Sequence, residues 1–163
     1  MANSVNTTRA GAVTTRLHTV CLIQDRGRVL LLDRRDHPNI RGYIAPGGKI
    51  DFPESPVEGA IREVREETGL RVSGLVYKGL HEFVNPDLGE RYMVFNYLAT
   101  TIEGELLTDP PEGRLQWVSI EDALSFPLER SFRARFPYFF EPGTFEIHMK
   151  WGGEAQEETV VRT

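Results

Sequence analysis

The segment GKIDFPESPVEGAIREVREETGL, Gly48 to Leu70, constrains this chain more than any other. It carries the boundaries of its own helix. Ser55 is a good N-cap, Pro56 falls at the favoured first position, and Glu58 completes a Ser-x-x-Glu capping box. Gly69 stands where a left-handed residue would stop the helix. Between these ends Val57, Ala60, Ile61 and Val64 recur at helical spacing and predict one apolar stripe. Glu63, Glu66 and Glu67 stand at i, i+3 and i+4, so all three emerge from a neighbouring face. Carboxylates packed this closely repel unless something compensates them. Arg62 and Arg65 can supply part of that positive charge, and a divalent cation can supply more; a plain solvated acidic face is the alternative for the triplet alone.

The residues just before the helix favour the cation. Gly47 and Gly48 are expected to let the backbone turn sharply and to offer carbonyl oxygens close to the helix, and Glu54 adds a carboxylate ahead of the N-cap. Oxygen donors of this kind select Mg2+, or Mn2+, over zinc, which prefers His and Cys.

Bulk properties set the frame around this segment. At 163 residues the chain fits one domain with a real core, and 40% hydrophobic with 26% charged residues is ordinary for a globular protein. A net charge of −5 argues against a nucleic-acid polymer as partner, although a bound cation would still admit an anionic substrate. The single cysteine, Cys21, rules out a disulfide framework within the chain and suits a reducing, cytoplasmic setting. No apolar run approaches the ~18 residues that cross a bilayer, so no membrane role is expected.

Patterning then places the elements. LHTVCLIQ (17–24) reads as a strand, DRG as a turn and RVLLLDRR (28–35) as the hairpin partner. Residues 37–53 hold three prolines and three glycines and should be mostly loop, with a short strand at 43–45. After the helix come β-rich runs at 71–84 and 91–102, joined by the turn signal NPDLGE, then RLQWVSI (114–120) leading into a short helix at EDALSF. FRARFPYFFE is a helical segment interrupted at Pro137, and GTFEIHMKW (143–151) alternates as a closing strand. The expected organisation is a loosely ordered tail at 1–16, one domain at 17–155 and a C-terminal tail at 156–163.

Gly48, five residues, Glu54, seven residues, then Arg62-Glu63-Val64-x-Glu66-Glu67-x-Gly69-Leu70 resembles the Nudix box, with all nine defined positions matched over 23 residues. Pro53 stands where many members carry Gly. The resemblance implies an α/β fold, a Nudix-type α/β/α sandwich around a mixed sheet. It also implies Mg2+-dependent hydrolysis (Mn2+ substituting) of a nucleoside diphosphate linked to a further group. On that resemblance Glu63, Glu66 and Glu67 would be metal ligands, assisted by the carbonyl of Gly47 or Gly48. Arg62 would orient the glutamates, and Glu54 would help position metal or water. The general base would be a box glutamate or an acid on a distant loop.

Glu112, in TDPPEGRLQW, resembles the extra acidic ligand of MutT-type members; an ordinary turn residue is the equal alternative. Lys49 is placed to meet a leaving phosphate or to be solvated, and Arg34 and Arg35 to contact phosphate or base or to lie on the surface. The order of elements also resembles the branch that hydrolyses oxidised purine nucleoside triphosphates. The mammalian member of that branch reads its base with two adjacent acids, where spacing here places Ser131 and Phe132. Trp117, Trp151, His81, Phe83 and Tyr92 are candidates for a base pocket or for the core. The favoured reading is a nucleoside triphosphate cleaved to monophosphate and pyrophosphate. ADP-ribose, a dinucleoside polyphosphate, or a nucleotide-sensing module without catalysis are the alternatives, and a homodimer is compatible with the sequence.

Overall fold

Alternating apolar strands and tight glycine turns build one large mixed sheet. In the computed structural model, which describes residues 4–8, 11–152 and 155–163, the chain runs β1 (Ser4–Thr8), β2 (Gly11–Asp25), β3 (Arg28–Asp33), β4 (Tyr43–Ile44), β5 (Gly47–Lys49) and α1 (Pro56–Thr68). It continues through β6 (Arg71–Ser73), β7 (Val76–Asn85), β8 (Glu90–Ala99), β9 (Thr101–Glu103), β10 (Arg114–Ser119), α2 (Ile120–Ala123), α3 (Arg130–Arg135), a 3-10 turn (Phe136–Phe139), β11 (Phe145–Gly152) and β12 (Ala155–Arg162). The sheet order is β10-β3-β2-β8-β7-β11-β12, with β2/β8 and β7/β11 parallel. β6 and β9 form a separate antiparallel pair.

The expected hairpin of β2 and β3 forms, turned by Arg26 at φ 48° and Gly27 at φ 75°. Its strands pair only at Gln24–Val29 and Asp25–Arg28 before they part. Into the gap come β5, paired with His18–Val20 of β2, and β4, paired with Leu32 and Asp33 of β3. This wedge is what carries Gly47 and Gly48 beneath α1.

Helices cover both faces. Val20, Leu22, Val29 and Leu31 pack with Ala123, Phe132, Phe136 and Phe139 on one side. Cys21, Ile23 and Leu30 pack with Ala60, Val64 and Leu70 on the other. The α/β/α layering read from the sequence is therefore the architecture, and burial of these side chains is its main driving force. The caps of α1 also form as read. Ser55 accepts from the Glu58 amide, the Glu58 carboxylate accepts from the Ser55 amide, and Gly69 closes the helix at φ 82°. Only the inner half of its apolar stripe is covered: Ala60 and Val64 are buried, whereas Val57 and Ile61 are 37% exposed.

Both expected tails differ from the structure. Residues 4–8 and 11–16, read as a loose tail, lie in β1 and in the first part of β2, paired antiparallel from Ser4–Thr15 to Thr8–Gly11. Of residues 156–163, also read as a tail, 156–162 run in β12 beside β11, and Thr144 and Thr163 exchange backbone hydrogen bonds of 2.8 Å. Thr159, Val160 and Val161 are β-branched, and pairing satisfies the open edge of β11.

Candidate active site

The site is assembled from three pieces: the inner face of α1, the β5 wedge, and the loop before β10. Gly47 and Gly48 are extended strand residues, so they do not supply the sharp turn expected of them. Their lack of a side chain serves close approach instead. A Cβ on Gly47 would meet Thr19 O at 2.1 Å, and one on Gly48 would meet the Glu63 carboxyl carbon at 2.5 Å. The Gly47 amide donates to Glu67 Oε2 at 2.9 Å. The helix carboxylates are thus held against bare backbone.

Arg62 ties the cluster together. Its Nε donates to Glu54 Oε1 at 2.6 Å and its Nη2 to Glu54 Oε2 at 3.0 Å and to the Lys49 carbonyl at 2.8 Å. Nη1 donates to Glu63 at 2.8 Å and to Glu66 at 3.1 Å. Glu54 and Arg62 stand behind the cleft wall rather than in it. The Arg62 guanidinium beside Glu54 holds that carboxyl below the usual carboxylate range.

Glu63 and Glu67 behave oppositely to Glu54. Burial raises the Glu63 carboxyl, against the pull of Arg62. Glu67 is 4% exposed, and burial pushes its carboxyl up to about 8. The Gly47 hydrogen bond and Arg34 oppose that rise, while Glu63 and Glu112 reinforce it. Two carboxylates facing one cleft with too little positive charge is the arrangement a hard divalent cation would relieve. Glu66 is less committed: its side chain is 59% exposed and rests on Arg62. Among the described residues no three His, Cys, Asp or Glu side chains gather as a ready-made metal site. The oxygen donors of Glu63 and Glu67 beside Gly47–Gly48 nevertheless fit a divalent ion, with Glu66 one turn away on the same helix.

Gly47, Gly48, Glu63 and Glu67 line a cleft of about 1070 Å³ together with Arg34, Lys49 and Glu112, and Glu66 does not line it. Arg34 pairs with Glu112 at 3.0 Å. Glu112, in the turn before β10, lines the same cleft as Glu63 and Glu67. Arg35 is not brought there: it is bound to Asp33 at 2.6 Å and its guanidinium lies over the Tyr43 ring.

The far end of the cleft is lined by Phe83, Tyr92, Trp151, Glu129, Ser131 and Arg135. Ser131 is therefore a cleft residue, whereas Phe132 is wholly buried in the core. Trp117 packs beside Arg28 at the edge of the core and His81 is fully buried behind Phe83. The sequence reading missed Glu129 and Arg135. An arginine inside the aromatic run SFRARFPYFF was the signal available.

The chain is similar to known proteins over most of its length. The family model described as NUDIX domain matches residues 14–139. An uncharacterised Nudix hydrolase of Bacillus subtilis, YvcI, is 34% identical over 113 residues, 68% of this chain and 70% of the relative. A putative 8-oxo-dGTP diphosphatase of the same organism, YtkD, is 37% identical over 86 residues, 53% of this chain and 50% of that protein's length. Among solved structures, a MutT protein from Bacillus halodurans superposes with a TM-score of 0.74 at 30% identity, covering 88% of this chain and 97% of that one.

Proposed function

The chain belongs to the Nudix hydrolase family, and from that premise we propose that it performs Mg2+-dependent hydrolysis of a nucleoside diphosphate linked to a further group. The favoured substrate is a nucleoside triphosphate, oxidised purines included, cleaved to the monophosphate and pyrophosphate. One observation carries the proposal: the buried Glu67 carboxylate and the half-buried Glu63 carboxylate face a cleft against Gly47 and Gly48, together with the Arg34–Glu112 pair.

Glu63, Glu66 and Glu67 would hold the cation, with a carbonyl of the Gly47–Gly48 pair assisting. When bound, Mg2+ neutralises diphosphate oxygens and acidifies or orients a water. The chain's own residues do the rest. Arg62 fixes the rotamers of Glu54, Glu63 and Glu66 through the hydrogen bonds above, so the donors are in place before substrate arrives. In this reading Glu112, on the cleft wall, would accept the proton of the attacking water. Arg34 would bind phosphate oxygens, and Lys49 would meet the leaving phosphate. The aromatic rings at the far end take the base. No helix among the described residues is long and apolar enough to cross a membrane, and the proposal includes a cytoplasmic location.

The test is a panel of nucleoside triphosphates, ADP-ribose and dinucleoside polyphosphates assayed with Mg2+, scored by kcat/KM with products identified. Pyrophosphate release from a triphosphate as the best reaction is the expected result. A clear preference for ADP-ribose or a dinucleoside polyphosphate would move the assignment within the family, and binding without turnover of any of them would make the chain a sensor.

A further inference from the structure

We infer that the far end of the cleft reads a keto oxygen on the substrate's ring through Arg135, selecting keto-bearing bases over amino-bearing ones. This rests on the nucleotide-hydrolase reading above and goes beyond it by assigning the specificity. Arg135 lines the cleft although only 2% of it is exposed. Its Nε donates to Asn96 Oδ1 at 2.9 Å, and Nη1 donates to Ser131 Oγ at 3.1 Å and lies 3.1 Å from His81 Nδ1. Among the described residues, Nη2 makes no hydrogen bond and no carboxylate lies within ion-pair distance of this guanidinium.

Burying a cation among neutral partners is unfavourable unless something completes its hydrogen bonding. The nearest carboxylate of that wall is Glu129. It is already committed to α3, accepting from the Ser131 amide at 2.9 Å, the Phe132 amide at 2.8 Å and Ser131 Oγ at 2.6 Å. His81 stays neutral at physiological pH, because burial lowers its imidazole to about 3, so its Nδ1 accepts from Arg135. The guanidinium is therefore clamped in one orientation with donors to spare.

The walls beside it favour a flat occupant over a phosphate. The rings of Phe83 and Trp151 lie 6.0 Å apart and those of Tyr92 and Trp151 6.4 Å apart. A planar ring held there would present its edge to Arg135. Guanidinium offers donors only, so a carbonyl completes the site, while an exocyclic amino group would set donor against donor. Sites built to bond a specific group discriminate strongly against ligands that leave it unpaired.

The test uses pairs that differ at this group: inosine triphosphate against ATP, and UTP against CTP, with Mg2+. The keto member of each pair is expected to lead by ~10²-fold in kcat/KM, the upper range for a single hydrogen bond from a charged donor. Arg135→Met should shrink that ratio below about 10, mainly by raising KM for the keto member, and Arg135→Lys should fall between; thermal unfolding establishes that each variant is folded. The wild-type ratios alone decide the matter should neither variant fold. Equal kcat/KM within each pair, or an unchanged ratio in folded Arg135→Met, overturns the inference. If no triphosphate is turned over, the favoured substrate assignment fails, and calorimetry with inosine against adenosine monophosphate still decides whether Arg135 reads a keto group: tighter inosine binding supports it, and equal binding sinks it.

Discussion

Glu67→Gln separates what this site does for stability from what it does for chemistry. In the structure the Glu67 carboxyl is 4% exposed and its proton is released only at about 8, where an exposed glutamate would release it near 4.5. The folded value lies above the unfolded one, so between them the folded chain holds a proton that the unfolded chain has lost. Stability contributed by this group is therefore greatest below the lower value and falls as pH rises through the window to about 8. A tenfold change in proton affinity corresponds to about 1.36 kcal/mol, so the metal-free protein should lose about 4 kcal/mol between about pH 5 and about pH 9 on account of Glu67. In a chain of this size that is a fall in Tm of roughly 10 °C. Glutamine removes the ionisation yet keeps an oxygen for the Gly47 amide. Glu67→Gln, stripped of divalent ions with a chelator, should then match the wild type near pH 5 and exceed it increasingly towards pH 9. Adding Mg2+ should close the gap by raising only the wild type, because the cation replaces the missing positive charge. Thermal melts across pH with and without Mg2+ measure this directly. A constant difference in Tm between the two proteins at every pH would refute the claim that the buried carboxylate is uncompensated. An equal Mg2+ effect on both would remove Glu67 from the ligand set.

Two further predictions separate neighbours. Gly47→Ala should destabilise the fold by about 2 kcal/mol or more, because its Cβ would press on the Thr19 backbone at 2.1 Å. Gly48→Ala should instead leave Tm nearly unchanged and lower kcat by ~10-fold or more, because its Cβ would displace the Glu63 carboxylate; melts and steady-state rates on the two proteins check both, and the reverse pattern would contradict the close-approach account. Glu66→Gln should cost ~10² in turnover with the fold intact, and Glu112→Gln should lower kcat more than it raises KM; Mg2+-dependent rates near normal in either would remove that residue from the catalytic set.

What the sequence made legible was governed by short-range rules. Capping box, left-handed glycine and carboxylate spacing of α1 all lie within one helix, where each residue's neighbours are known from its position. The alternation Phe145-Ile147-Met149 likewise told which side of β11 is buried, because a strand has only two faces. The strand segments at 4–8, 11–16 and 156–162 were missed because their pairing partners, not their own patterns, make them strands. The role of Gly48 was missed because the group it accommodates, Glu63, arrives from another element.

Glu67 and Arg135 show the same divide more sharply. Neither position looks like core in the sequence, yet both are buried ionisable groups, at opposite ends of one cleft and of opposite sign. A carboxylate raised to about 8 and a guanidinium lowered to about 10 are each shifted by desolvation towards the neutral form. Packing alone would have favoured apolar residues at both positions. Two undercompensated groups facing the same space are most simply explained by a ligand that brings the complement of each: a cation bound to phosphates at one end, and an acceptor-edged ring at the other.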